Sequence, residues 1–116
     1  MALIVQKYGG TSVGTPERIE TVAEKVIGWR GRGHQMVVVV SAMSGETDRL
    51  IGLAKGITPR PHPRELDVLL ATGEQVTIAL LCIALEKRGC PARSYTGSQV
   101  RIITDNAFNK ARIQAI

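Results

Sequence analysis

The chain has 116 residues and a mass of 12.5 kDa, which is enough for one domain with a modest core. Hydrophobic residues make up 44% and charged residues 22%, a balance that argues against a disordered chain. The net charge of +5 comes from scattered Lys and Arg, and because aromatic residues are only 3%, the charge does not indicate nucleic-acid binding.

Membrane, secreted and zinc proteins are also disfavoured. The longest unbroken apolar run, 78–85, is too short to span a bilayer, and the N-terminus lacks the basic region of a signal peptide. We therefore expect a cytoplasmic protein without a membrane partner. Cys82 and Cys90 have no CxxC partner, and His34 and His62 lie far apart, so we expect free thiols and no metal site built by the protein.

A glycine-rich turn follows the first predicted strand. The apolar run 2–5 leads to Lys7, the pair Gly9-Gly10 and Gly14. Adjacent glycines suit a close approach of the backbone, and free N–H groups between a strand and a helix attract anions. Lys7 would add a full positive charge. The pattern predicts a phosphate site, and the alternative is an ordinary strand-to-helix turn with a solvated lysine.

The next segments predict a helix and a second strand. Thr15 and Pro16 have the residue types of an N-cap and a first helical position. Apolar residues then recur with helical spacing at positions 19, 22, 23, 26 and 27. The β-branched run 36–40 is typical of a strand buried on both faces of a parallel sheet. Together these segments predict a βαβ unit.

The remaining segments continue the alternation. A second Gly/Ser turn, 41–45, follows the second strand. A helix is predicted over 46–55, and a second over 64–71, which is interrupted at 72–74 and resumes over 75–87 as a buried helix. A strand over 92–96 and a turn at 97–98 follow. The last predicted elements are short strands over 100–104 and 112–116, joined by a polar turn around 105–106 and 109.

This order predicts an α/β fold, a three-layer α/β/α arrangement with a mostly parallel central sheet. Both Gly/Ser turns follow parallel strands, so they should lie on the same edge of the sheet, where such folds bind ligands. The Walker pattern GxxxxGK[ST] and the dinucleotide pattern GxGxxG are both absent.

Several separated motifs resemble those of the aspartokinases, in the amino acid kinase superfamily. They are KYGGTSVG at 7–14, VVVVSAMSGETD at 37–48, RELD at 64–67, ATGEQ at 71–75 and SYTGSQ at 94–99. The resemblance implies an amino acid kinase fold and ATP-dependent phosphorylation of the side-chain carboxylate of L-aspartate. The product would be 4-phospho-L-aspartate, the entry to lysine, threonine and methionine synthesis.

The resemblance also implies roles for individual residues. Lys7 would meet the transferring phosphate as the catalytic residue, and Lys7, Tyr8, Gly9, Gly10 and Ser41 would bind ATP, with Mg²⁺ held through the nucleotide. Ser41, Thr47 and Glu74 would bind aspartate. Without the resemblance, Glu74 would be interpreted as a first-turn glutamate favoured by the helix dipole, Thr47 as an exposed first-turn hydroxyl and Ser41 as a strand-end cap.

The family resemblance extends beyond this chain. Aspartokinases have a longer catalytic domain followed by regulatory ACT domains, so we expect residues 1–116 to be the N-terminal part of a kinase domain, inactive alone and part of a homo-oligomer at full length. Two alternatives stay open: a non-catalytic α/β module that binds an anion or a partner, and another carboxylate kinase of the same superfamily.

Overall fold

The computed structural model describes residues 1–100, 103–108 and 112–115. Its helices and strands are mixed along the chain and include a parallel strand pair, which confirms the α/β prediction. The helices are α1 (Pro16–Gly31), α2 (Glu46–Lys55) and α3 (Pro63–Lys87), and the strands are β1 (Leu3–Tyr8), β2 (Gln35–Val40), β3 (Ile103–Thr104) and β4 (Ile113–Ala115). A single 3₁₀ turn, Gly10–Val13, lies between β1 and α1.

The predicted βαβ unit is present. β1 and β2 pair in parallel, in a register that runs from Leu3 opposite Gln35 to Tyr8 opposite Val40. The helix between them begins as the sequence predicts, because the Thr15 hydroxyl accepts a hydrogen bond from the Arg18 N–H at 3.2 Å. The carboxyl ends of both strands therefore lie on one edge of the sheet.

The core lies between this strand pair and the helices α1 and α3. Residues on the apolar stripe of α1 are buried, as their spacing predicts. The buried core cluster comprises Val13, Ile19, Val22, Ala23, Val26, Val40, Leu81, Ala84 and Leu85. Side chains from alternate positions of β1 and β2, among them Tyr8 and Val38, pack against it.

The opposite face of the strand pair is open among the described residues. Val37 and Val39 are each 47% exposed, and Leu3 and Val5 on the same face are 63% exposed. The prediction that β2 is buried on both faces is therefore wrong for this chain, because α1 and α3, the helices that pack on β2, lie against its other face. Apolar composition alone did not reveal which face of the strand is covered.

Helix α3 differs from its prediction in two ways. It runs without interruption from Pro63 to Lys87, so the predicted break at 72–74 is wrong. It is also only partly buried, with Val76 44% and Ile83 62% exposed. By length and composition α3 could cross a membrane, a test that the core helix of a soluble protein also meets. Its contacts with α1 and α2 are those of a core helix in this chain.

The last predicted strands are shorter than expected or not formed. Residues 92–96 form no strand, and Cys90, Pro91 and Ala92 line a cavity of about 480 Å³ beside β2. The final pair is present as β3 and β4, which are antiparallel. Val100 belongs to the preceding turn, and positions 101, 102, 109 and 116 of the predicted segments lie outside the described residues.

Candidate functional site

The two Gly/Ser turns pack directly against each other at the carboxyl edge of the strand pair. The Ser41 N–H donates to the Tyr8 carbonyl at 3.2 Å, and the Ser44 N–H donates to the Gly10 carbonyl at 3.1 Å. A Cβ on residue 10 would lie 2.9 Å from the Ala42 carbonyl oxygen, which leaves room only for glycine. The prediction that both turns share one edge of the sheet is confirmed.

The glycine turn presents backbone N–H groups without protein partners. Gly9 is extended (φ −78°, ψ 173°) and leads into the 3₁₀ turn. The N–H groups of Gly9, Gly10 and Thr11 donate no hydrogen bond to another residue within the described ranges. The Arg18 guanidinium on α1 donates to the Thr11 carbonyl at 3.0 Å and so holds the turn in place. These donors are free to bind an anion.

The side chains of Lys7 and Tyr8 lie on opposite faces of β1. Lys7 is exposed beside Val39 on the open face, and it forms no ion pair with any residue that the structure describes. Tyr8 packs against the core, and its hydroxyl donates to Gln6 Oε1 at 2.8 Å. Burial raises the pKa of Tyr8, so the phenol stays neutral near pH 7. Of these two side chains, that of Lys7 is the one that presents charge at the open face.

The start of α2 forms the next part of this edge. Its N-cap is Gly45, in the left-handed conformation (φ +81°), and no side chain caps the helix. Thr47 is exposed in the first turn. Glu46 accepts two hydrogen bonds from Arg49, at 2.6 and 3.0 Å, and this pairing lowers the pKa of the Glu46 carboxyl. The Glu46 charge is thus already compensated by Arg49.

Glu74 lies on α3. It is exposed in the interior of the continuous helix, and it has no ion-pair partner among residues 1–100 or the other described ranges. Interpreting it as a first-turn glutamate is wrong, because the helix begins at Pro63 and offers no free N-terminus at residue 74. Its carboxylate is available for a cation.

Contacts between small residues bring these segments together. Gly73, which precedes Glu74, is buried, and a Cβ there would lie 3.0 Å from Ala42 Cβ and 3.6 Å from Glu46 Cγ. Ala42 therefore touches the glycine turn through its carbonyl and α3 through its methyl group. Gly9, Ser41, Thr47 and Glu74 are each next in the chain to a residue of this contact.

Three contributing residues were not predicted from the sequence: Arg18, Ala42 and Gly73. Gly73 had a usable signal, because a glycine inside an otherwise helical pattern implies either a break or a close packing contact. Ala42 and Arg18 had none, since their roles depend on distances between segments. Within the described ranges no three His, Cys, Asp or Glu side chains are grouped so that they could hold a metal ion.

Comparison with known proteins finds relatives that are named aspartate kinase or aspartokinase. The aspartate kinase of Stutzerimonas stutzeri is 72% identical over 116 residues, which is all of this chain and 28% of that protein. The aspartokinase of Pseudomonas aeruginosa is 73% identical over 113 residues, covering 97% of this chain and 27% of that protein. The chain thus spans little more than a quarter of the length of these curated relatives.

Solved structures agree on the fold. The aspartate kinase from Synechocystis matches with a TM-score of 0.80 and 57% identity, over 84% of this chain and 17% of that one. Aspartokinase III of E. coli, solved with aspartate and ADP, matches with a TM-score of 0.82 at 20% identity, over 98% of this chain and 35% of that one, and shows the fold alone. The amino acid kinase family profile matches residues 2–115. The chain belongs to the amino acid kinase family.

Proposed function

We propose that this chain forms part of the active site of an ATP-dependent aspartate kinase, which transfers the γ-phosphoryl group of ATP to the side-chain carboxylate of L-aspartate. The packing of the glycine turn against the Ser41–Gly45 turn is the observation that carries the proposal. This packing holds the glycine turn, with its free backbone donors, against the turn that leads into α2, and the proposal adds Lys7 and Glu74, which form no ion pair with a described residue.

The proposed nucleotide site is the glycine turn with Lys7. The N–H groups of Gly9 and Gly10 would donate to phosphate oxygens, and the Lys7 ammonium would offset the charge on the transferring phosphoryl group. Ser41 would lie beside the phosphates, since its N–H is tied to the Tyr8 carbonyl at the end of β1. Tyr8 would contribute through its backbone, because its side chain packs into the core.

The proposed aspartate site lies across Ser41, Thr47 and Glu74. Glu74 would pair with the substrate ammonium, and the Thr47 and Ser41 hydroxyls would donate to a substrate carboxylate. The acceptor carboxylate is already nucleophilic, so the reaction needs no strong base. What the protein supplies is the juxtaposition of two anions and the stabilisation of their charge.

The proposed cofactor is Mg²⁺ bound through the nucleotide. Phosphate oxygens and water are the ligands that Mg²⁺ prefers, and it would neutralise part of the phosphate charge when bound. The glycine turn fits this arrangement because its donors are amides, which bind phosphate oxygens and leave the metal to the nucleotide.

The test uses a full-length chimera in which residues 1–116 replace the matching segment of the S. stutzeri enzyme. A coupled assay with ATP, Mg²⁺ and aspartate should show turnover, and the isolated 116-residue chain should show essentially none. In the chimera, Glu74→Gln should raise the KM for aspartate by about tenfold or more, because it removes the charge paired with the ammonium.

The matched control is Glu86→Gln, an exposed glutamate near the other end of α3. It should leave both KM values within about twofold of the unmodified chimera, as expected for a surface change remote from the site. A chimera that folds but does not phosphorylate aspartate, or a Glu74→Gln variant with unchanged KM for aspartate, would contradict the proposal.

A further inference from the structure

Helix α3 contains a buried glycine where it crosses the start of α2. Glycine is among the least favourable residues in a helix interior, so a buried glycine there calls for a packing reason. A Cβ on residue 73 would lie 3.0 Å from Ala42 Cβ, 3.6 Å from Glu46 Cγ and 3.7 Å from Leu50 Cδ1. The absent side chain is therefore what allows α3 to approach this closely.

A buried side-chain hydrogen bond lies within the helix at the same place. Thr77, one turn further on, is fully buried, and its hydroxyl donates to the Gly73 carbonyl at 3.2 Å. The Thr77 hydroxyl has its hydrogen-bond partner inside the helix. The packing of Gly73 against Ala42 therefore leaves no buried polar side-chain atom unpaired among the described residues. The helix thus has a defined contact point at residue 73.

Ala42 is held from both sides at this contact. Its carbonyl oxygen would lie 2.9 Å from a Cβ on Gly10, and its methyl group faces Gly73. A side chain on Gly10 would force a segment to move, and one on Gly73 would require Ala42 or α3 to give by a few tenths of an ångström. The spacing of the glycine turn, the Ser41–Gly45 turn and α3 is therefore set by three small residues in contact.

We propose that Gly73 is a positioning residue that sets the distance from Glu74 on α3 to Ser41 and Thr47. This inference rests on the proposed function, in which those three residues bind aspartate. A methyl group at residue 73 would displace α3 from Ala42 by some tenths of an ångström and shift Glu74 with it. Lys7 lies on β1, and the glycine turn meets Ala42 at its carbonyl oxygen and not at the methyl group that faces Gly73, so the nucleotide side would be disturbed less.

The first test is Gly73→Ala in the full-length chimera. We expect the KM for aspartate to rise by about tenfold or more, while kcat falls by less than about threefold and the KM for ATP stays within about twofold. The matched control is Gly52→Ala in α2, where an added Cβ would meet no atom within 4 Å. This control gives α2 the same gain in helix propensity and should leave every kinetic constant unchanged.

The second test is a rescue. Adding Ala42→Gly to the Gly73→Ala variant removes the opposing methyl group and should return the KM for aspartate to within about threefold of the parent value. Rescue would not be expected if Gly73→Ala acted only through general stability, since Ala42→Gly also removes packing.

The outcomes separate this inference from the function on which it rests. If the parent chimera does not phosphorylate aspartate, or if Glu74→Gln leaves its KM unchanged, the proposed function fails. If Glu74→Gln raises that KM but Gly73→Ala does not, or if Ala42→Gly fails to restore it, the positioning role alone is overturned.

Discussion

At the scale of single residues, Lys7 is the side chain whose setting best matches its proposed role. Lys7 is the second-to-last residue of β1, directly before Tyr8 and the glycine turn, and its side chain lies on the open face of the strand pair. No carboxylate within the described part of the chain neutralises it. An unpaired lysine next to unpaired backbone N–H groups provides both full and partial positive charge for a phosphoryl group.

Lys7→Ala in the chimera should lower kcat by about 10²-fold or more, because the lysine would stabilise charge that develops only in the transition state. The KM for ATP should rise less than kcat falls. The measurement is a steady-state coupled assay with ATP and aspartate varied separately. Lys55→Ala, in the last turn of α2, is the control and should leave kcat unchanged. An unaltered kcat in Lys7→Ala would remove the lysine from this role.

Glu74 shows why a local interpretation of the sequence was insufficient. The residue types Thr72, Gly73 and Glu74 are typical of a helix boundary, and that interpretation placed Glu74 in a first turn. In the structure the glycine is accommodated because Ala42 packs against it, which is a contact between distant segments. The role of Glu74 in aspartate binding came from the family resemblance and stays a prediction.

At the scale of elements, the sequence predicted what depends on local pattern. The bounds of α2 agree with prediction, α1 begins at the predicted proline, and the parallel pairing of β1 and β2 follows from the βαβ order. The predicted strand at 92–96 failed for a different reason. A strand forms only when another strand pairs with it, and β1 and β2 bond only to each other in the described part of the chain.

The helices α1 and α3 are joined by charges as well as by the core. Glu20 on α1 lies 2.7 Å from Lys87 Nζ and 3.6 Å from Arg88 Nη1, and Glu24 lies 3.5 Å from Arg88 Nη2. The hydrogen bond and charge of Lys87 hold the pKa of the Glu20 carboxyl below its usual value of 4.5. A lowered pKa in the folded state means that the folded protein binds this proton less readily than the unfolded chain does.

Glu20→Gln should therefore lower the thermal midpoint of the 116-residue chain at pH 7 by a few degrees at most, since the pair is exposed to solvent. The contribution of Glu20 is present above its unfolded pKa and is lost as the pH falls below 4.5 through the lower folded value. Circular dichroism melts of both chains should differ at pH 7 and converge as the pH falls well below the usual pKa of 4.5.

Two comparisons test this assignment. In about 1 M NaCl the difference at pH 7 should shrink, because salt screens exposed charges. Glu86→Gln, which removes a carboxylate that forms no ion pair with a described residue, should not show the same loss at pH 7. A Glu20→Gln difference that persists at low pH would indicate a packing effect of the side chain and contradict the electrostatic explanation.

At the scale of the whole molecule, the uneven covering of the sheet is the dominant feature. One face carries α1, α3 and the core, and the other presents Leu3, Val5, Val37 and Val39 to solvent. The strand pair also has unpaired edges among the described residues. The chain spans 28% of the length of the S. stutzeri relative. The exposure of this face is therefore a property of the 116-residue chain.

The isolated chain should self-associate through this face, because a contiguous apolar surface beside open strand edges favours pairing with another copy. Replacing Val37 and Val39 by Thr keeps a β-branched side chain in each strand position but makes the face more polar. We expect the double variant to shift the association equilibrium toward monomer by about tenfold or more in sedimentation velocity over a concentration series.

The control for this prediction is Val68→Thr, which makes the same chemical change at a residue of α3 that is 55% exposed. If association depended on total surface hydrophobicity, this variant would also move toward monomer, although it leaves the sheet face intact. Association that is unchanged in the Val37/Val39 double variant, while its circular dichroism spectrum stays that of the parent, would show that the open face is not the contact. If self-association weakens only in the double variant, the contact between copies is the open face, on which Lys7 also lies. ATP should then weaken self-association, since the proposed nucleotide site adjoins that face.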